Sequence, residues 1–177
     1  ISSFIILAGL YLVSLQPKKY EAKLGKKAWK YCKYIRTVAF FFEMAGMINI
    51  VLWYWYPIEN LNWKIHENPT IALIISIIIG TPLFIIMTIG LIHAGKESWE
   101  PSPDTNLHGG LYKYVRHPQA ITEFPFFIVM AYGVNSWLLV VVLLIYNLIF
   151  LPLMKTIEEK DLIRRFGEEY RQYQQTT

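Results

Sequence analysis

The sequence predicts an all-α fold: a polytopic membrane protein with five transmembrane helices and a cytoplasmic C-terminal helix. Three observations carry this. Of the 177 residues 54% are hydrophobic and only 17% charged, with a mean hydropathy of +0.32, whereas soluble domains carry about 25% charged residues. The apolar residues fall into five runs, 1–15, 37–56, 71–92, 120–134 and 136–153, several near the ~20 residues that a helix needs to cross hydrocarbon. The cations are segregated: of 17 Lys and Arg, 16 fall in the first connection, the third connection or the tail, and only Lys64 lies elsewhere. With five crossings those three regions share one side, which the positive-inside rule makes cytoplasmic.

The first run has neither a convincing basic flank nor a small-residue cleavage pattern, so it reads as a membrane helix rather than a removed signal. The connection after it holds eight cations between Lys18 and Arg36, a density suited to anionic headgroups. The second run ends on Trp53, Tyr54, Trp55 and Tyr56, an interfacial aromatic belt on the outer side. The third contains Gly80 and Pro82, which predict a packing notch and a kink. Gly133, Val134 and Asn135 leave room only for a tight turn, so the fourth and fifth runs form a hairpin. Pro152 is expected to bend the fifth run as it leaves the membrane. Beyond it, Leu162, Phe166, Tyr170 and Tyr173 recur at helical spacing. No internal repeat is visible, and residues 1–177 read as one domain.

Charge clusters at two places where charge is costly. Arg116-His117-Pro118 precedes the fourth run, and Glu158-Glu159 follows the fifth. Ionisable residues at membrane depth mark function more often than packing. The tight hairpin brings the start of the fourth run beside the end of the fifth, so a cation, an imidazole and two carboxylates converge at the cytoplasmic boundary. Pro118 suits the first turn of a helix, whose free N–H groups favour an anion. Glu43 and Glu123 lie inside apolar runs. Glu123 is read as a substrate contact, a partner of a cation or a neutral hydrogen-bonded acid, and Glu43 as a packing contact with the third run. The single cysteine, Cys32, excludes an internal disulfide and a multi-cysteine metal site. His93 and His108 show no close zinc spacing, so no metal is expected. The net charge of +4 is explained by membrane topology, so no nucleic-acid partner is expected.

Three stretches together resemble the isoprenylcysteine carboxyl methyltransferase family. They are Gly110-Leu111-Tyr112-Lys113-Tyr114-Val115-Arg116-His117-Pro118, then Glu158-Glu159 with Leu162, then Phe166-Gly167 with Glu169, Tyr170 and Tyr173. Ala120 and Thr122 stand where that family usually has Tyr and Gly, and Met154 where members often have Arg. The resemblance implies an integral membrane enzyme that uses S-adenosylmethionine and releases S-adenosylhomocysteine. It implies methylation of the C-terminal carboxylate of a prenylated cysteine or a similar lipophilic substrate, in a cell membrane or endoplasmic reticulum, with the site facing the cytoplasm. His108, Leu111, Tyr112, Tyr114, Val115, His117, Pro118, Gln119 and Glu158 are then expected to hold the cofactor, and Arg116 and Glu159 to act on the substrate side. Arg116 would orient the carboxylate or hold that of the cofactor. Phospholipid N-methyltransferases and NADPH-dependent membrane sterol reductases share parts of this pattern and remain alternatives, as does a non-enzymatic membrane scaffold.

Overall fold

The computed structural model describes residues 2–103 and 109–177. Seven helices follow in order: α1 (Ser2–Ser14), α2 (Pro17–Leu24), α3 (Lys27–Trp53), α4 (Pro69–Ala94), α5 (Pro118–Gly133), α6 (Trp137–Phe166) and α7 (Glu168–Thr176). Short 3-10 turns cover Glu59–Leu61, Gly95–Ser98 and Gly110–Lys113. Among the described residues there is no strand, only an isolated bridge between Lys64 and Ser136. Helices are what an apolar chain must form where no water can satisfy its backbone.

Local chemistry sets the boundaries. Asn68 caps α4 by accepting the Thr70 N–H at 3.0 Å, with Pro69 in the first turn. Ser136 caps α6 by accepting the Leu139 N–H at 3.3 Å. The α5–α6 hairpin turns on Asn135, at φ 61°. Its side chain accepts the Ile65 and His66 N–H groups at 3.2 and 2.9 Å and donates to the His66 carbonyl at 2.9 Å. The hairpin is thereby tied to the loop between α3 and α4.

Among the described residues, three helical stretches are long and apolar enough to cross a membrane: Lys27–Trp53, Pro69–Ser98 and Trp137–Phe166. The other two of the five predicted runs are shorter, α1 with 13 residues and α5 with 16. At ~1.5 Å per residue, 16 residues reach ~24 Å, less than the ~30 Å hydrocarbon core. α6 continues through Pro152 to Phe166, so Glu158 and Glu159 lie on the same helix as the apolar run. Gly167, at φ 59°, then breaks the chain into α7, and the tail periodicity is split between two helices.

The helices pack α4 on α5, α1 on α3, and α5 on α6, whereas α3 and α4 barely touch. Gly133 permits the α4–α5 approach, since a Cβ there would sit 2.5 Å from Ser76 Oγ, which itself donates to the Val129 carbonyl at 3.0 Å. One buried cluster joins Phe4, Leu7, Ala39, Phe127 and Leu143, and a second joins Leu15, Ala120, Phe124, Phe150 and Met154. Large apolar side chains point outward along the long helices, among them Ile78 and Leu148, both 67% exposed. Outward Ile and Leu on so many faces fit a lipid surrounding better than water. The basic connection folds as α2 and the start of α3. Asp161, on α6, caps α2 by accepting the Lys18 and Lys19 N–H groups at 3.2 and 3.0 Å.

Candidate active site

His117 stands at the N-cap of α5, with Pro118 in the first turn. Its ring is clamped on both edges. Nδ1 lies 3.0 Å from Glu158 Oε2, and Nε2 lies 3.1 Å from Glu159 Oε1. Neighbouring positions on a helix point ~100° apart, yet both carboxylates reach one imidazole because the ring offers a nitrogen on each side. Arg116 Nη1 sits 3.5 Å from Glu159 Oε1, while Glu159 Oε2 accepts from Gln174 Nε2 of α7 at 2.9 Å. Tyr173 of α7 donates to the Tyr112 carbonyl at 2.5 Å. The break at Gly167 lets α7 fold back over the cluster and close it.

Burial alone would push the His117 imidazolium below its ordinary pKa, but the facing carboxylates of Glu158 and Glu159 overcome it and hold the pKa above that value. With a carboxylate on each nitrogen, both N–H groups donate, which is the charged form of the ring.

A cavity of about 600 Å³ opens beneath the cluster, within the ~300–1,000 Å³ range of small-molecule sites. Tyr112, Arg116, His117, Gln119, Glu158 and Tyr170 line the end of it nearest the clamp. Phe40, Glu43, Met47, Phe84, Met87 and Glu123 line it between α3, α4 and α5. Phe40 and Phe84 are 44% and 49% exposed, and α3 and α4 barely touch on that side of the cavity.

Glu158 lines the cavity, and Glu159 sits behind His117. Glu158 is thus not a solvated face. Tyr112 and Gln119 line the cavity, and Gln119 Nε2 also donates to Ser98 Oγ at 3.0 Å. Other positions expected to hold a cofactor do not line this cavity. Tyr114 is 78% exposed and off the cavity. Leu111 sends its N–H to His93 Nδ1 at 3.1 Å, and neither it, Val115 nor Pro118 lines the cavity. His108 lies outside the described residues.

Sequence reasoning missed a second polar knot. Arg165 pairs with Glu97 at 2.9 Å, with the two side chains 6% and 9% exposed. Arg165 also donates to the Ser102 carbonyl, and Glu97 Oε2 accepts the Ser102 N–H at 2.9 Å. Arg36 donates to the Glu97 carbonyl at 2.7 Å and to that of Ser14 at 3.3 Å. The loop after α4 is stapled between α3 and α6 at the cavity rim. Glu43 and Glu123 both line the cavity, from α3 and α5.

Among the described residues, three helices of membrane length and apolar surface mark an integral membrane protein, and the cavity with its ionic clamp is its candidate site. The chain belongs to the family described as a protein of unknown function, DUF1295, whose profile matches residues 16–177. It is similar to methanethiol S-methyltransferase 1 of Bradyrhizobium diazoefficiens, 34% identical over 144 residues, covering 71% of this chain and 47% of that protein. It is also similar to methanethiol S-methyltransferase of Pseudomonas deceptionensis, 25% identical over 153 residues, covering 79% of this chain and 56% of that protein. The chain thus spans about half the length of the curated relatives it matches. No solved structure matches it.

Proposed function

We propose that this chain is a membrane methyltransferase: it moves a methyl group from S-adenosylmethionine to an apolar acceptor that enters from the bilayer. The observation that carries this is the clamp of His117 between Glu158 and Glu159 at the mouth of a cavity that continues into the apolar interior. In this reading all five apolar helices cross, and the clamp faces the cytoplasm, where the cations gather.

The donor set fits the cofactor. Its carboxylate suits the open N–H groups at the start of α5 and Arg116. Its ammonium suits Glu158, whose side chain is 28% exposed into the cavity. Tyr112 and Tyr170 offer rings to cover an adenine. The imidazolium of His117 holds both carboxylates in place, and Glu159 with Gln174 fixes Arg116 from behind. When bound, S-adenosylmethionine supplies an electrophilic methyl on a sulfonium. A nicotinamide dinucleotide phosphate suits this site less well: Arg165 already faces Glu97 and Arg36 faces backbone carbonyls, which leaves Arg116 as one cation for several phosphates.

The acceptor is a thiol in our reading, as in the names of the curated relatives. The inner cavity carries two carboxyls, and Met154 stands at its wall, so an acceptor carboxylate would meet like charge there. Arg116 supports the second reading, a prenylcysteine carboxylate held by paired N–H bonds. Calorimetry with S-adenosylhomocysteine and NADPH is the first test. Binding of the former and not the latter is expected, and the reverse overturns the proposal. Transfer of a labelled methyl to methanethiol or to a prenylcysteine analogue then separates the two acceptors.

A further inference from the structure

The membrane end of the cavity holds two acids that the cofactor side does not use. Glu43 comes from α3 and Glu123 from α5. Both line the same cavity as His117 and Glu158, and α5 makes a small contact with α3. Two carboxyls brought together in an apolar wall share a proton rather than both ionise. Among the described residues no cation pairs with either, and Phe40, Met44, Met47 and Phe84 line the same cavity. Tyr11, on α1, lines it too. A tyrosine hydroxyl and an acid pair without a cation, facing an apolar void, are placed for a ligand with a small polar head.

We propose that the Glu43–Glu123 pair is the proton acceptor for a neutral thiol substrate, an inference that rests on the methyl-transfer reading and deepens it. A carboxylate acceptor arrives ionised and needs no base. A thiol arrives protonated, and the thiolate is the nucleophile. The step balances. The S–H bond breaks and its electron pair stays on sulfur. The proton joins the pair, which passes from one proton to two. The sulfur forms a bond to the methyl carbon, and the bond from that carbon to the donor sulfonium breaks, with its electrons going to the leaving thioether. The positive charge of the sulfonium and the negative charge of the pair disappear together, so the low-dielectric cavity is neutral overall before and after. The proton returns to water as products exchange.

The test compares two acceptors in the purified protein: an alkanethiol, and an aryl thiol acidic enough to be ionised at the assay pH. Glu123→Gln is expected to lower turnover of the alkanethiol roughly 10²-fold and of the aryl thiol by less than about 3-fold, because general-base help is worth ~10²–10⁴-fold only where a proton must be moved. Affinity for S-adenosylhomocysteine should be unchanged by calorimetry. Infrared difference spectra of the unaltered protein with S-adenosylhomocysteine provide a readout without turnover: the neutral-carboxyl band should grow when the alkanethiol is added. Equal loss for both thiols, unchanged turnover, or no band growth overturns the proposal, as does preferential methylation of an amine. If Glu123→Gln does not fold, Glu123→Asp keeps the acid and withdraws it by one methylene, and should show the same acceptor dependence. Absence of any transfer by the unaltered protein, or of S-adenosylhomocysteine binding, refutes the methyl-transfer reading itself.

Discussion

Glu159→Gln isolates the charge of the inner carboxylate while keeping its shape. Three groups meet its two oxygens: His117 Nε2 at 3.1 Å and Arg116 Nη1 at 3.5 Å on Oε1, and Gln174 Nε2 at 2.9 Å on Oε2. An amide offers one acceptor oxygen and one NH2, so either His117 or Gln174 must face a donor. A hydrogen bond to a charged group contributes about 1.5–3 kcal/mol, which at ~1.4 kcal/mol per tenfold is ~10–150-fold. His117 keeps Glu158 on its other nitrogen, so the clamp survives in part and the stability loss should stay near ~1–2 kcal/mol. The larger effect falls on Arg116, which loses its charged partner and its fixed position. Turnover should drop at least ~10²-fold, the scale of a misplaced reactant. The assay is labelled methyl transfer alongside thermal unfolding in detergent. A folded, fully active variant refutes the positioning role. Glu158→Gln is not the milder change that a solvent-facing neighbour would give: this carboxylate lines the cavity, and its loss should weaken S-adenosylhomocysteine at least ~10-fold.

The remaining predictions concern titration, the second ion pair and topology. His117 has a pKa raised above 6.5, so its contribution to stability is full below that value and is lost as pH rises through the raised one; the thermal midpoint should fall across this range, and His117→Gln should flatten the profile. Arg165→Met leaves Glu97 buried without its cation, which should cost about 3–5 kcal/mol and is read as a lowered unfolding midpoint; an unchanged midpoint would remove the staple from the fold's energetics. Cysteines introduced in residues 57–70 and in α7 should label from opposite sides of the membrane, and labelling from one side would break the five-crossing topology.

The sequence revealed where lipid lies better than where helices end. The run 71–92 and the helix Pro69–Ala94 nearly coincide, because Asn68-Pro69 starts the helix at the membrane edge. The run 136–153 understates α6, which continues to Phe166. Polar residues continue a helix as readily as apolar ones, so hydropathy falls where water begins although the rod does not stop. For the same reason α3 starts at Lys27, within the basic connection. The Arg116, His117, Glu158 and Glu159 cluster was legible because a hairpin of known tightness fixes which ends are neighbours. The division of labour within it was not, since it depends on which edge of one imidazole each carboxylate meets.

The two acid pairs show why the inner half of the site escaped sequence reasoning. Glu158 and Glu159 sit where cations are tolerated, and their partners His117 and Arg116 lie at the open end of the same hairpin. Glu43 and Glu123 sit on helices that make only a small contact, with no motif to join them. An apolar run holding one carboxyl calls for a partner, and cost alone permits a cation, a proton or a second acid. Two lone acids in separate runs therefore predicted two independent problems, whereas the structure places both on one cavity. The result is a cavity whose clamp end is electrically balanced and whose inner end keeps two carboxyls with no cation partner among the described residues. A ligand that carries positive charge inward from the clamp meets, at the far end, carboxyls placed to neutralise it.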